Sequence, residues 1–367
     1  MHVLITADTL GGVWTYTREL VCGLLGRGHQ VTLVSFGRRP TPAQSFWLSQ
    51  PHFHHYPTDF PLEWMQHAQQ GVTESVSYLQ EIIYECQPDL LHFSQFCYGA
   101  LKSDIPKIVV AHSDVLSWWH AVHGSEPPES HWLQWYRNQV SAGLEGADVV
   151  VAPSQWMLDT IGEHYGRFPN SRVIHNGRNP EIFRPAEHKT EGVLSVGRLW
   201  DEGKQVSLLL ARNHPVPIKI VGSLEHPEGI RSHYPVQIQD SGRWTFCGEQ
   251  DEIQLSELYA VSAAYAATSR YEPFGLAPVE AALSQCALIA NDIPVFQELW
   301  QDAAFYFRRN DPDDLASAIA ALTADTGLRA DYSQRAYARA RSCFTAKMML
   351  AEYDDLYRTL AGARADA

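Results

Sequence analysis

The chain has 367 residues, 45% of them hydrophobic and 19% charged, with 28 Lys and Arg against 42 Asp and Glu for a formal net charge of -14. That length exceeds what one hydrophobic core usually serves, so two domains are expected, and the composition is that of a folded globular protein. The acidic balance argues against nucleic acid as a partner, which needs a basic footprint, and no apolar run approaches the roughly 18 residues that span a bilayer.

In chain order, HVLITA (2–7) reads as a short buried strand, DTLGG (8–12) as a turn, the segment from Val13 to Gln30 as a helix with apolar residues at helical spacing, and VTLVSF (31–36) as a second strand. The opening MHVLITADTLGGVW carries no charged leader pattern, and the six cysteines are scattered without a C-x-x-C pair. Both features fit a cytoplasmic protein with reduced thiols. Further strands are predicted at 89–94, 107–113 and 148–154, each followed by helix-like sequence, the pattern of a parallel sheet with crossover helices. Turn residues and Pro then cluster over 176–192, after which the alternation restarts. Strands are predicted at 192–197, 216–222, 263–269, 286–292 and 303–307, with a helix from about Lys204. The expectation is therefore two doubly wound α/β domains, 1–188 and 189–344, and a final helical segment, 345–367, long enough to return to the first.

Ligands of such domains sit at the carboxyl ends of the strands, where phosphates meet helix N-termini. Three loops fit. Gly11 and Gly12 allow close backbone approach after the first strand, although the G-x-G-x-x-G spacing and the acidic residue of a nicotinamide site are absent. Arg198 and Lys204, flanking the loop after the strand at 192–197, suit a diphosphate, one as a bidentate fork and the other as a point charge. In SRYEPFGLAPVEAALSQ (269–285), Pro278 is tolerated only in the first turn of a helix, which places the helix start near Leu276. The amides around Phe274, Gly275 and Leu276 are then free at a positive helix end, with Glu272 and Glu280 close by. Two carboxylates beside a phosphate site are costly unless hydroxyls satisfy them, and a nucleotide sugar supplies both groups.

The Glu, seven residues, Glu spacing, with Pro-Phe-Gly-Leu directly after the first Glu, resembles the donor-site signature of glycosyltransferase family 4, retaining enzymes of the GT-B fold. The likeness extends over nearly the whole chain, through Gly11-Gly12, AHSD (111–114), VIHNGRNPEIFRP (173–185) and the Arg198 and Lys204 pair. The resemblance implies two Rossmann-like domains facing a central cleft, with the C-terminal helix crossing back to the N-terminal domain. It also implies transfer of a hexose-type sugar from a nucleotide-diphosphate sugar, a UDP-sugar being favoured, to a hydroxyl acceptor, with retention; the missing metal-ligand cluster adds the expectation of no metal or other cofactor. By the same resemblance Arg198 and Lys204 hold the diphosphate, Glu272 contacts the transferred sugar, and Glu280 binds the ribose. Phe274, Gly275 and Leu276 lie along sugar and phosphate, and His112 faces the sugar from the N-terminal domain. Family members often carry Asp directly after that His, whereas here Ser113 precedes Asp114. A sugar-nucleotide epimerase of the same fold and a non-catalytic nucleotide-sugar-binding protein are the alternatives.

Acceptor-side candidates are Asp114, Trp118, Trp119 and His120, since aromatic faces stack on sugar rings. The histidines of PHFHHYP (51–57) lack further ligands at metal spacing, and Asp311 in DPDD reads as a helix cap. Residues 1–188 hold 11 Lys and Arg against 18 Asp and Glu, and between Arg39 and Lys102 there are six acids and no base. An anionic bilayer would find little to attract it there, so the acceptor is expected to be soluble and no stable membrane association is expected.

Overall fold

The computed structural model of the chain describes residues 1–226, 229 and 244–365. They form two compact units: one runs from Met1 to Asn176 and is joined by the chain from Ala346 onward, and the other is Gly177–Thr345.

The first unit alternates strand and helix: β1 (His2–Asp8), α1 (Gly12–Gly26), β2 (Gln30–Phe36), a short α2 (Pro42–Ser45), β3 (Phe53–Pro57), α3 (Gln69–Cys86) and β4 (Leu90–Phe93). A 3₁₀ turn at Phe96–Ala100 leads to β5 (Lys107–Val110), α4 (Val115–His123), α5 (His131–Glu145), β6 (Val149–Ala152), α6 (Gln155–Tyr165) and β7 (Ser171–Val173). Its seven strands are parallel in the order β3-β2-β1-β4-β5-β6-β7. Helices cover both faces, which is why the central strands read as unbroken apolar runs. Val3, Leu4 and Ile5 of β1, and Val149, Val150 and Val151 of β6, are all buried. One of the six acids between Arg39 and Lys102 is internal: Glu63 is buried and accepts from the amides of Phe96 at 2.8 Å and Cys97 at 2.7 Å, capping the 3₁₀ turn.

The second unit has β8 (Thr190–Val196), a 3₁₀ turn (Glu202–Lys204), α7 (Ser207–Leu210), β9 (Ile218–Val221), β10 (Trp244–Phe246), α8 (Glu252–Val261), β11 (Ser262–Ala267) and α9 (Leu276–Leu283). It continues with β12 (Ala287–Asn291), α10 (Pro294–Trp300), β13 (Phe305–Phe307), α11 (Pro312–Ala324) and α12 (Thr326–Cys343). The six parallel strands run β10-β9-β8-β11-β12-β13. The helix expected from Lys204 is instead a 3₁₀ turn ending at that residue, followed by the four residues of α7. Gln205, in left-handed conformation at φ 48°, separates the two.

The boundary falls at Asn176/Gly177, twelve residues before the expected position. Residues 177–188 are bound into the second unit: the Ala186 amide donates to the Ala260 carbonyl at 3.1 Å, and Phe183 packs edge-on against Tyr259. The last helix, α13 (Ala346–Ala365), belongs to the first unit. It buries Met349, Leu350, Tyr353, Leu356 and Tyr357 in the core that also holds Leu20 and Leu24 of α1. Asp354 is its polar anchor, accepting from Arg27 at 2.6 Å and lying 3.1 Å from His29 Nε2. Among the described residues no helix is long and apolar enough to cross a membrane.

Candidate active site

In the second unit the strand order reverses direction between β8 and β11, which creates the crevice where doubly wound domains bind ligands. Both loops singled out by sequence leave those two strands. The Arg198–Lys204 loop follows β8, and the Glu272–Gly275 segment follows β11. Backbone and side-chain bonds lace them together. The Arg270 amide donates to Gly203 O at 2.8 Å, the Thr268 hydroxyl to Lys204 O at 2.8 Å, and the Asn291 side chain to Ser269 O at 3.1 Å.

The lacing brings opposite charges together. Lys204 Nζ lies 2.5 Å from Glu272 Oε2, with both side chains mostly buried, and the Ser269 hydroxyl is 3.1 Å from the same oxygen. These three residues, with Tyr265, Gly275 and Leu276, line a small cavity. Arg198 is more open at 43% side-chain exposure; it pairs with Asp201 at 2.7 Å and lies over the Trp200 ring at 5.0 Å. The cavity is closed on one side by the start of α9. Gly275 precedes that helix at φ 91° and ψ 88°, a conformation that favours glycine, and an added Cβ would meet Glu272 Cγ at 3.1 Å. No side chain caps α9 among the described residues, and Pro278 occupies its first turn. Its leading amides are therefore available to an anion. Lys204 paired with a carboxylate beside a positive helix end, with Arg198 on the same loop but not among the cavity-lining residues, makes a place where a diphosphate and a hydroxyl-rich group can be bound together.

Glu280 stands apart from this cavity lining. It is buried and its Oε1 accepts from Arg178 Nε at 2.7 Å. Burial pushes its carboxyl pKa up, against the opposing effects of the Arg178 charge and the Tyr259 hydroxyl. Phe274 is also a core residue, packed edge-on against Phe344 with ring centroids 5.4 Å apart.

In the first unit, Gly11 adopts φ 77° as the residue before α1, and Gly12 begins that helix. This loop also leaves a strand at the reversal point, between β1 and β4. His112 follows β5, with the Tyr16 ring edge-on at 4.5 Å. Burial lowers its pKa to about 3, so the ring is neutral at physiological pH, and its Nε2 makes no hydrogen bond among the described residues. Such a nitrogen can meet a sugar hydroxyl. Behind it, His92 bridges the hydroxyls of Tyr16 at 3.1 Å and Tyr357 at 2.7 Å.

Asp114 does not fit an acceptor role. It caps α4, accepting from the Leu116 amide at 2.9 Å, the Ser117 amide at 3.1 Å, the Ser117 hydroxyl and the Tyr165 hydroxyl at 3.2 Å. A buried carboxylate with four donors has little capacity left for a ligand. Trp118 and Trp119 form a partly buried cluster with His123, at 5.6 and 4.2 Å, while His120 is exposed and 6.5 Å from His164. Asp311 caps α11, accepting from the Asp313 amide at 2.9 Å and the Asp314 amide at 3.1 Å. Sequence reasoning did not assign Arg178, Asp201 or Ser269. Arg178 lies in VIHNGRNPEIFRP, which the resemblance already singled out, but its two acidic partners come from α8 and α9.

A model of glycosyltransferase family 4 matches residues 10–182, and one of glycosyl transferases group 1 matches residues 180–339. The serotype-specific mannosyltransferase WbdA of Escherichia coli is 33% identical over 137 residues, 37% of this chain and 16% of that protein, so the chain corresponds to only a small part of it. Among solved structures, a sucrose-phosphate synthase from Thermosynechococcus elongatus superposes with a TM-score of 0.84 at 20% identity, covering 99% of this chain and 100% of that one. HepE of Anabaena in complex with UDP-glucose superposes with a TM-score of 0.73 at 20% identity, covering 98% and 100%. Those two likenesses show the fold. With the two family models in tandem across residues 10–339, the chain belongs to the glycosyltransferases of family 4 type, built on the GT-B fold.

Proposed function

We propose that the protein transfers a hexose from a nucleotide-diphosphate sugar, a UDP-sugar being favoured, to a hydroxyl of a soluble acceptor, with retention at the anomeric carbon and without a metal ion. The observation that carries this reading is the Lys204 and Glu272 pair, 2.5 Å apart beside the uncapped start of α9 at the reversal point of the sheet. Lys204, Arg198 and the helix end meet the diphosphate, and Glu272 accepts from hydroxyls of the transferred sugar. In the reaction the bond from the anomeric carbon to the diphosphate oxygen breaks. A bond to the acceptor oxygen forms on the same face, and the acceptor proton passes to the departing diphosphate. The cations and helix end stabilise the charge that develops on that leaving group.

HepE is named as a complex with UDP-glucose, which supports a UDP-sugar as the first donor to try. Metal independence is supported by the donor set, in which cations and amides do the work often given to a divalent ion. The soluble acceptor is supported by the acidic surface between Arg39 and Lys102, which keeps five of its six acids after Glu63 is assigned to the interior. The test is a thermal-shift panel of UDP, GDP and ADP with their glucose and mannose derivatives, where a ligand at ~100 times its Kd adds about 2.7 kcal/mol. The stabilising donor is then incubated with and without candidate glycosides. Glycoside product of unchanged anomeric configuration, formed equally in EDTA, is expected. Absence of any nucleotide-dependent shift overturns the donor reading, altered sugar without acceptor indicates epimerisation, and EDTA inhibition reversed by Mg²⁺ overturns metal independence. Sedimentation with anionic liposomes at low salt would overturn the soluble acceptor.

A further inference from the structure

Arg178 is one of the most enclosed charged side chains in the molecule, with 2% of its side chain exposed. Its guanidinium is used on two sides: Nε donates to Glu280 Oε1 at 2.7 Å, and Nη2 donates to Glu252 Oε2 at 2.6 Å. The group also lies over the Phe183 ring at 4.8 Å, and its backbone amide donates to Phe344 O at 3.0 Å. The fork therefore cannot turn without breaking two charge-assisted bonds and a ring contact. A buried ion pair is a weak source of stability, because desolvation cancels much of the attraction, so stability alone is a poor reason for this arrangement. Geometry supplies a better one. Glu280 is the fifth residue of the eight-residue α9, the helix whose uncapped start is assigned above to the diphosphate, and one of its oxygens is taken by Arg178.

We propose that Arg178 is a positioning residue for the nucleotide ribose: it clamps Glu280 by Oε1 and so fixes the orientation in which the carboxylate meets the ribose hydroxyls. The inference rests on the donor reading above. Burial favours the neutral acid at Glu280 and the Arg178 charge opposes it. Without the guanidinium, the carboxylate loses the bond that fixes its orientation as well as the charge that opposes burial.

Nucleotide binding tests this without turnover. Calorimetric Kd values are measured for UDP, GDP and ADP and for their 2′,3′-dideoxy counterparts, on the parent, Arg178→Ala and Arg178→Lys proteins. The parent is expected to prefer its ribonucleotide by about tenfold or more, the size of a charge-assisted hydrogen bond. Arg178→Ala should bring that ratio close to one while leaving dideoxynucleotide affinity nearly unchanged. Arg178→Lys should fall between, since an ammonium keeps the charge but cannot span both acids. A merely structural role would weaken both nucleotide classes together. If the Ala variant does not fold, the Lys variant carries the same comparison. An unchanged ratio in a folded variant, or tighter ribonucleotide binding, overturns the clamp alone. A parent that binds nucleotides without preferring ribose also overturns it and leaves the donor reading in place. A parent that binds none of the three removes both.

Discussion

Replacing Lys204 by Ala separates the chemistry of the cavity from its contribution to folding. In the folded chain the ammonium sits 2.5 Å from Glu272, with side-chain exposures of 18% and 12%. Truncation leaves that oxygen with the Ser269 hydroxyl at 3.1 Å as its remaining partner. Leaving a partly buried carboxylate under-satisfied costs about 1–3 kcal/mol. A domain stable by roughly 5–15 kcal/mol survives that loss, so the variant is expected to fold. Losing a donor to the leaving diphosphate costs about 2.7–4 kcal/mol in the transition state, or 10²–10³ in kcat. The second effect is larger and acts on the folded enzyme. The assay is donor turnover with the acceptor found above, at a temperature at least ~10 °C below the Tm of the variant. Glu272→Gln runs alongside, because it breaks the same ion pair while keeping Lys204. If folded Lys204→Ala keeps kcat/KM within about threefold of the parent, Lys204 is only the partner of Glu272 and the diphosphate assignment fails.

Gly275→Ala forces a side chain into φ 91° and against Glu272 Cγ; a destabilisation of at least ~1 kcal/mol is expected, with a higher donor KM. A melt and donor kinetics matching the parent would refute it. Asp114→Ala should destabilise the first unit by about 1–2 kcal/mol, the usual value of a lost helix cap, and leave acceptor KM unchanged. An altered acceptor KM in a protein of parental stability would restore Asp114 as an acceptor residue. At Asp354, burial opposes ionisation but Arg27, Arg358 and His29 outweigh it and hold the carboxyl below its ordinary value. A depressed folded-state pKa gives stability that is complete above the unfolded value of ~3.9 and lost as pH falls through the lower folded value. Asp354→Asn should therefore narrow the stability gap to the parent as pH drops below ~4, and a constant difference in Tm from pH 7 to pH 3 would refute the anchor.

Much of this protein is written locally. The central strands β1, β4, β5, β6, β8, β11 and β12 are covered on both faces, so each must be a continuous apolar run, and such runs announce themselves. Pro278 alone sets where α9 starts, and Asp311 declares itself a cap by the Pro beside it. Three of the four edge strands, β3, β7 and β10, escaped because an edge buries only part of each residue, whereas the fourth, β13, announces itself through Phe305, Tyr306 and Phe307. His54, Arg172 and Thr245 on the first three are exposed. The short turn around Lys204 also escaped, since a 3₁₀ turn followed by four helical residues has no period to detect.

Sequence by itself determined the two doubly wound units and the chemical kinds at the site: two cations, a carboxylate and an open helix end on loops that follow strands. Only tertiary structure decided the pairing among them. Lys204 and Glu272 are 68 residues apart and meet because parallel strands β8 and β11 deliver their loops to one edge of the sheet, whereas Arg178 and Glu280, 102 apart, meet because the segment before β8 bonds to α8 and α9. A charge is legible in one dimension, whereas its partner and its burial are set by which strands are neighbours. The fold added the Tyr165 hydroxyl to the local cap at Asp114 and enclosed Glu280 behind a guanidinium that spacing along the chain could not supply.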